Sequence, residues 1–182
     1  ERHGAVRVIV ARLLDGAGSH PLGDRRNFAL GFGKTVRFTT ESDIDATRVR
    51  YSMAVPPAAE PANVRTYEVA GTSHADYWGS VVGQAVAEYQ FGVSGSGFGC
   101  DLPLNPLRTG VPLSAIQYRL ARWLKYGESP PDSNFIDLQV GTEAWVRDAD
   151  GNVTGGVRPP NIEVPVGSYA GSNPYSGPTP SP

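Results

Sequence analysis

A carboxylate and a histidine each follow a β-type segment of the sequence, in positions where side chains could do acid–base chemistry. Asp43 comes just after the segment 35–40 (TVRFTT), and His74 comes just after the segment 64–70 (VRTYEVA). In acyl transfer by a Ser-His-Asp triad, the histidine takes the proton from a serine hydroxyl while a carboxylate holds the imidazole in the required tautomer. The order of the two residues predicts Asp43 as the orienting acid and His74 as the general base.

Two neighbouring carboxylates compete with Asp43 for the role of the acid. Glu41 and Asp45 flank it in the segment ESDID, so either could serve instead. By residue type alone, Asp43 could also cap the helix that follows. We prefer Asp43 as the acid because it lies a few residues past a predicted strand, where a turn can aim its side chain at the neighbouring loop.

The serine that a triad needs is not evident in the sequence. No segment has the G-x-S-x-G pattern of a nucleophile elbow. The nearest imitation is GTSHA, residues 71–75, in which Ser73 follows a predicted strand. A serine next to its own base would need another histidine, and His3 and His20 lie in irregular sequence near the start of the chain. Ser73 is therefore kept only as an alternative nucleophile.

Two strands must position these groups. The segments 35–40 and 64–70 combine β-branched and aromatic residues, which favours strands, and residues 45–54 favour a short helix that the segment PPAAEP ends. The order strand, acid, helix, strand, histidine, helix is typical of an α/β fold. We therefore predict that the strands are parallel neighbours in one sheet, with Asp43 and His74 at their carboxyl ends.

Two further helices and a hairpin are predicted after His74. Apolar residues recur at helical spacing at positions 78, 81, 82, 85 and 89. A second helix is expected from Pro112, which suits a first helical turn, to about Tyr126, and Gly127 is the expected stop. From Ile136 onward, two short strands flank a tight turn at DADGN, and GGVRPPNIEVPVG should continue as extended chain.

The composition excludes several classes of partner. Sixteen Lys and Arg against eighteen Asp and Glu give a net charge of -2 without a long block of like charge, so nucleic acid is not an expected partner. No apolar stretch approaches the length of a membrane span. The single cysteine, Cys100, cannot form an internal disulfide, and no cluster has the spacing of a metal site. We expect no cofactor and no metal, and the cellular compartment is not indicated.

Four segments in order carry a resemblance to a known family: YEVAGTSHAD, CDLPLNP, ARWLKYGESPP and VRDADGNVTGGVRPPNIEVPV. Together they resemble the C-terminal part of the alpha/beta-hydrolase domain proteins, a little-characterised family of large bacterial proteins, over residues 35–167. The resemblance implies that His74 occupies the position of the triad base and Asp43 that of the acid. It also implies an upstream half that contains the nucleophile elbow.

This resemblance implies an α/β fold in which the chain is the C-terminal portion of a hydrolase-type parallel sheet with a β-rich extension. We divide the chain into an N-terminal segment of uncertain structure, the C-terminal half of the hydrolase core, the β-rich extension and a disordered Pro/Gly/Ser tail, at residues 1–34, 35–135, 136–170 and 171–182.

The predicted function is that of part of a serine hydrolase acting on carboxylic esters or related acyl substrates. Its partners would be a small acyl substrate and the upstream half of the same protein, and we expect the chain alone to be inactive because it lacks the nucleophile. The alternative is a non-catalytic binding or assembly module built on residues 136–166. Such a module would need an exposed aromatic face, for which only Trp145 and Tyr169 are available.

Overall fold

A computed structural model describes residues 34–47, 62–92, 102–139 and 144–173 of the chain. These residues form two strands and four helices: β1 (Thr35–Thr40), α1 (Glu41–Thr47), β2 (Val64–Val69), α2 (Tyr77–Phe91), α3 (Gly110–Tyr126) and α4 (Pro160–Glu163). Residues 1–33, including nearly all of the predicted N-terminal segment, lie outside the described residues, as does Cys100. Within the described ranges, no helix is long and apolar enough to cross a membrane.

The two strands are parallel neighbours, as the α/β pattern predicted. The register pairs Thr35 with Val64 at one end and Thr40 with Val69 at the other. Both strands therefore end at the same edge of the sheet, and the residues that follow them in sequence begin side by side. This arrangement brings the loops that carry the candidate acid and base together.

The second edge of β2 is paired with two separate pieces of chain. Tyr67 forms a parallel bridge with Asn134, and Val69 forms one with Val157. The backbone N–H of Val157 donates to the carbonyl of Glu68 at 2.7 Å. Two short pieces of chain thus take the place of a third strand beside β2. Between them, the chain leaves the sheet and then returns to it; we call this part the excursion.

The excursion between these two pieces contains the predicted turn at DADGN. Asp148 Oδ1 accepts hydrogen bonds from the backbone N–H groups of Asp150 and Asn152, at 3.1 and 2.9 Å, which is the local bonding that favours Asp in turns. The flanking chain forms isolated antiparallel bridges instead of the two predicted strands, one of them between Arg147 and Val153. The described residues of the β-rich extension therefore do not form a sheet of their own.

Helix α3 covers one face of the sheet. Leu120 and Trp123, one turn apart, are buried against Val36 and Tyr67 of the strands. The helix ends as predicted at Gly127, which has a φ of 74° and donates its N–H to the carbonyl of Trp123 at 3.1 Å. The buried face of α3 is the apolar face that its amphipathic spacing predicted.

A second apolar cluster lies beneath the strand ends. It contains residues from both sides of the predicted domain boundary at residue 136, and Trp145 and Tyr169 pack against it. Its fully buried members include Ile44, Ala70, Ile136, Val153 and Ile162. The chain from Ile136 onward thus shares one core with the strand ends and helps to form the floor under the candidate site.

Two helical segments differ from the sequence predictions. Helix α1 begins at Glu41, directly after β1, and not at residue 45, because Thr40 and Asp43 cap it. Helix α4 replaces part of the predicted extended chain. Its first residue, Pro160, follows Pro159 at the N-cap, and the fixed φ of proline suits a first helical turn.

The packed chain also extends into the segment predicted as a disordered tail. Gly171 is buried. The side chain of Asn173 accepts from the backbone N–H of Leu102 at 3.2 Å and donates to its carbonyl at 2.6 Å. Residues 171–173 are therefore part of the folded structure, and residues 174–182 lie outside the described residues.

Helix α2 has regular ends but no buried residue. Asp76 accepts from the N–H of Gly79 at 2.7 Å at its start, and Gly92 ends it with a φ of 64°. Its large apolar side chains face outward, with Val82 63% exposed, Tyr89 91% and Phe91 73%. The helix predicted from apolar spacing is present, but it buries no side chain against the rest of the described chain.

Candidate active site

Asp43 uses one carboxylate oxygen to cap α1. The N–H of Thr40 donates to Asp43 Oδ2 at 2.9 Å, and the N–H of Asp43 donates to Thr40 Oγ1 at 3.3 Å. This reciprocal arrangement is a capping box with Asp in the place usually taken by Glu or Gln. It fixes the carboxylate at the carboxyl end of β1, where it is buried.

The other oxygen of Asp43 faces His74. Oδ1 is buried and accepts no hydrogen bond within the described part of the chain, and it lies 3.4 Å from Nδ1 of His74. The capping role and the role of an orienting acid were weighed as alternatives from the sequence. In the structure the cap uses Oδ2 and leaves Oδ1 towards His74, so capping does not exclude the proposed role.

His74 lies on the loop that follows β2. Its side chain is 55% exposed, whereas that of Asp43 is 8% exposed, so a largely open imidazole contacts a buried carboxylate through Nδ1. Its backbone N–H donates to Ser42 Oγ at 2.7 Å. This backbone bond fixes the loop to the start of α1.

The register of the two strands explains how the loops meet. Because Thr40 lies opposite Val69, the residues that continue each strand remain close together. The N–H of Gly71 donates to Glu41 Oε2 at 2.8 Å, and the N–H of Ser42 donates to the carbonyl of Thr72 at 3.4 Å. These bonds hold the two loops together beyond the ends of the strands.

The rival acid Glu41 has other partners. Its side chain is buried, and Oε1 accepts from Arg147 at 3.1 Å while Oε2 accepts from Gly71. Burial raises the pKa of Glu41, and the hydrogen bond from Gly71 and the charge of Arg147 act in the opposite direction. The carboxylate of Glu41 is thus engaged away from the imidazole, and the side chain of Asp45 lies outside the described residues.

Ser73, the alternative nucleophile, precedes His74 on the same loop and lines the same cleft. Its backbone carbonyl accepts from the hydroxyl of Thr109 at 3.0 Å. The backbone N–H of Thr109 in turn donates to Asp76, the residue that caps α2, at 2.8 Å. The loop that carries Ser73 and His74 is therefore also fixed on the side of α2 and α3.

An open cleft of about 690 Å³ lies beside His74. Its walls are the segment 102–106 and the segment 167–173, and the described residues that line it include no Asp, Glu, Lys or Arg. Apolar side chains such as Leu102, Leu104 and Tyr169 alternate with serine hydroxyls. The cleft is of the size and character of a small-molecule site.

Three asparagine side chains, which the sequence analysis did not single out, hold the walls of the cleft. Asn105 donates to the carbonyl groups of Gly71 and Ala170, the latter at 2.8 Å, and Asn173 joins the other end of the segment to Leu102. Asn152 is fully buried and accepts from the N–H of Tyr169 at 2.7 Å. Asn105 and Asn173 each precede a proline, a turn signal from which their positions could have been inferred.

No group of three or more His, Cys, Asp or Glu side chains that could hold a metal ion occurs among the described residues.

The sequence matches the alpha/beta hydrolase domain family over residues 11–180, and the chain belongs to that family. The match confirms the resemblance inferred from the four sequence segments and covers more of the chain than they do. Membership indicates a hydrolase-type function. No curated protein and no solved structure matches the chain.

Proposed function

We propose that this chain supplies the acid and the general base of a Ser-His-Asp triad in a serine hydrolase that acts on carboxylic esters or related acyl substrates. The nucleophilic serine and the oxyanion donors come from an upstream segment of the same protein. The observation that carries the proposal is the 3.4 Å approach of His74 Nδ1 to the buried Oδ1 of Asp43, at the carboxyl ends of adjacent parallel strands and beside an open cleft.

The chemistry follows from the two sides of the imidazole. As the serine oxygen attacks the carbonyl carbon, its proton passes to Nε2 of His74, and the resulting imidazolium is stabilised by the charge on Asp43 Oδ1. The same proton then goes to the oxygen of the leaving alcohol. In the second half of the reaction, His74 takes a proton from the water that hydrolyses the acyl-enzyme and returns it to the serine.

The fixed carboxylate is suited to this role. A rotating carboxylate would spend part of its time with neither oxygen directed at Nδ1. Because Oδ2 accepts from the backbone of Thr40, Oδ1 is held on the side of His74 and favours the tautomer that carries its proton on Nδ1. That tautomer leaves Nε2 free to act as the base.

The cleft supports a neutral acyl substrate. Its described lining has no carboxylate, ammonium or guanidinium group, so a charged substrate would lose its hydration without gaining an ion pair there. The apolar side chains favour a hydrocarbon acyl or alcohol group, and the hydroxyl and amide groups can hydrogen-bond an ester. The carboxyl-ester class is therefore preferred over charged substrates.

The outward face of α2 supports an upstream partner. The helix begins three residues after His74, and large apolar side chains along its length are exposed, including Val82, Tyr89 and Phe91. Apolar surface of this extent next to a site commonly marks a contact with another segment.

The test compares the 182-residue chain with a longer protein that includes the upstream coding sequence. We expect the longer protein to hydrolyse p-nitrophenyl esters and to react with a fluorophosphonate probe at a serine outside this chain. The variants His74→Gln and Asp43→Asn should lower kcat by about 10⁴-fold, whereas Ser73→Ala should retain activity. The 182-residue chain should show neither hydrolysis nor labelling. Labelling of Ser73 would contradict the proposal.

The alternative of a binding module on residues 136–166 is not supported by a specific observation. It would need Trp145 and Tyr169 on an exposed face, but both are half-buried and pack against the core cluster. We therefore prefer the hydrolase proposal.

A further inference from the structure

A buried carboxylate lies behind the candidate acid–base pair. Glu41 is 0% exposed, and it precedes Asp43 by two residues on α1. Its two oxygens have different partners: Oε2 accepts from the N–H of Gly71 at 2.8 Å, and Oε1 accepts from the guanidinium of Arg147 at 3.1 Å. Glu41 thus joins the start of α1 to the loop that carries His74 and to the excursion from the sheet.

The remaining backbone contact between the two loops is weak. The direct backbone bond, from Ser42 to Thr72, is 3.4 Å long, near the limit of a hydrogen bond. The bond from the N–H of Gly71 to Glu41 Oε2 is shorter, at 2.8 Å. Glu41 therefore provides the firmest polar link between the acid loop and the N-terminal end of the base loop.

The surroundings of Glu41 leave little room for movement. A Cβ atom added to Gly171 would lie 2.6 Å from Glu41 Cβ and 2.8 Å from the carbonyl oxygen of Thr72. Segment 167–173 thus closes directly over the carboxylate and the base loop. Arg147, which is partly exposed, is in turn anchored by donation to the carbonyl of Gly151 at 2.9 Å.

Burying a carboxylate is costly, and pairing it with a partly exposed cation such as Arg147 often stabilises the fold no more than apolar residues of the same volume would. Such a pair is better explained by the geometry that it enforces than by stability alone. We propose that Glu41 and Arg147 are positioning residues that lock the loop 71–74 onto α1 and so set the approach of His74 to Asp43. This inference rests on the proposed function only in taking His74 and Asp43 as the acid–base pair.

The test uses the 182-residue chain labelled with ¹⁵N and two NMR readouts. Amide hydrogen exchange at Gly71 and His74 reports how firmly the loop is held, and long-range ¹H–¹⁵N spectra report the tautomer of His74, with His74→Gln assigning its signals. The variants are Glu41→Ala, Glu41→Gln and Arg147→Met. Glu128→Gln is the matched control, because it removes a carboxylate from an ion pair with Arg122 away from the site.

We expect Glu41→Ala to speed exchange at Gly71 and His74 by about 10- to 100-fold, as for the loss of a hydrogen bond to a charged group. The neutral imidazole should change from the Nδ1–H tautomer to a mixture. Glu41→Gln should have a smaller effect because its amide oxygen still accepts from Gly71, and Arg147→Met should lie between the two. Exchange in α3 around Trp123 should change by less than about 3-fold, and Glu128→Gln should leave both loop readouts unchanged.

Two results would overturn the inference. One is an unchanged tautomer of His74, or exchange at His74 that stays at the wild-type rate, in all three variants. The other is exchange that rises equally in the loop and in α3, since that would make Glu41 a residue of general stability. A separate variant, Asp43→Asn, tests the proposed function: if it leaves the tautomer of His74 unchanged, the acid–base pair fails, whatever the result for Glu41.

Discussion

At the scale of single residues, the carboxylate of Asp43 has two separable tasks. Oδ2 caps α1 through Thr40, and Oδ1 lies against the imidazole of His74. An asparagine at this position could still accept the N–H of Thr40 but would carry no charge. The two tasks can therefore be separated by choosing the substitution.

We predict that Asp43→Asn lowers the thermal stability of the 182-residue chain only slightly, whereas Asp43→Ala costs about 1 kcal/mol through loss of the cap. Both changes should abolish most of the hydrolysis by the longer protein. Thermal unfolding followed by circular dichroism, together with ester hydrolysis, checks the two effects. Equal destabilisation by both variants would show that the charge, and not the cap, sets the stability.

Gly71 provides a second prediction at this scale. It has a φ of 65°, and an added Cβ would lie 2.2 Å from Cδ1 of Ile162. Gly71→Ala should therefore lower the free energy of unfolding by about 1–3 kcal/mol through backbone strain and overpacking. Gly83→Ala in α2 is the matched control, since nothing lies within 4 Å of its added Cβ.

The control should leave stability unchanged or raise it by up to about 1 kcal/mol, because alanine is the better helix former. Urea unfolding of both variants measures the difference. Equal stability of Gly71→Ala and the wild type would mean that the loop before His74 relaxes without strain.

At the scale of elements, the parallel strands bring together two loops that neither strand could position alone. Glu41, at the start of α1, joins these two loops, and its contribution to stability should depend on pH. Burial raises its pKa above the ordinary value of 4.5, so the folded chain binds the proton more readily than the unfolded chain does. Its contribution to stability is therefore greatest below pH 4.5 and is lost as the pH rises through the folded pKa.

We predict that the wild type gains stability relative to Glu41→Gln as the pH falls from 7 to 4.5. The pKa of Asp148 is lowered by its hydrogen bond from Arg158, and that of Glu128 by Arg122. Both ion pairs are lost when their carboxylates are protonated, so both make the chain less stable at low pH. The loss is equal in the wild type and in Glu41→Gln, and it therefore cancels when their free energies of unfolding are subtracted. Urea unfolding of both proteins over this pH range gives the result, and a constant difference would contradict the raised pKa.

The order of elements was largely predictable from the sequence because it depends on local patterns. The strands, α2, α3 and the stop at Gly127 follow from periodicity and glycine chemistry. The start of α1 was predicted too late because Thr40 is at once the last strand residue and a helix cap. The two short pieces of chain beside β2 could not be predicted, since single bridges at Asn134 and Val157 have no period to detect.

The candidate site was predictable only where chain order carried information. The positions of Asp43 and His74 after successive strands implied that they would be neighbours, and they lie 3.4 Å apart. The partnership of Glu41 with Arg147 joins residues far apart in sequence, so no spacing rule could predict it. The roles of Asn105, Asn152 and Asn173 likewise depend on packing between distant segments.

At the scale of the whole molecule, the two long helices differ in what they bury. Trp123 of α3 is 4% exposed in the core, whereas Tyr89 of α2 is 91% exposed. We predict that Trp123→Ala lowers the free energy of unfolding by about 3–5 kcal/mol and that Tyr89→Lys changes it by less than about 0.5 kcal/mol. Denaturant unfolding of the 182-residue chain checks both values. A large loss from Tyr89→Lys would show that α2 is covered within this chain.

The capping box has a consequence for anyone who transfers this proposed acid–base pair to another scaffold. One short side chain must reach the backbone of Thr40 and the ring of His74 at once, and the extra methylene of a glutamate would displace at least one of the two oxygens. The four residues Thr40 to Asp43 should therefore be transferred together. A graft that copies Asp43 without Thr40 would no longer hold the carboxylate in the orientation that directs Oδ1 at the imidazole.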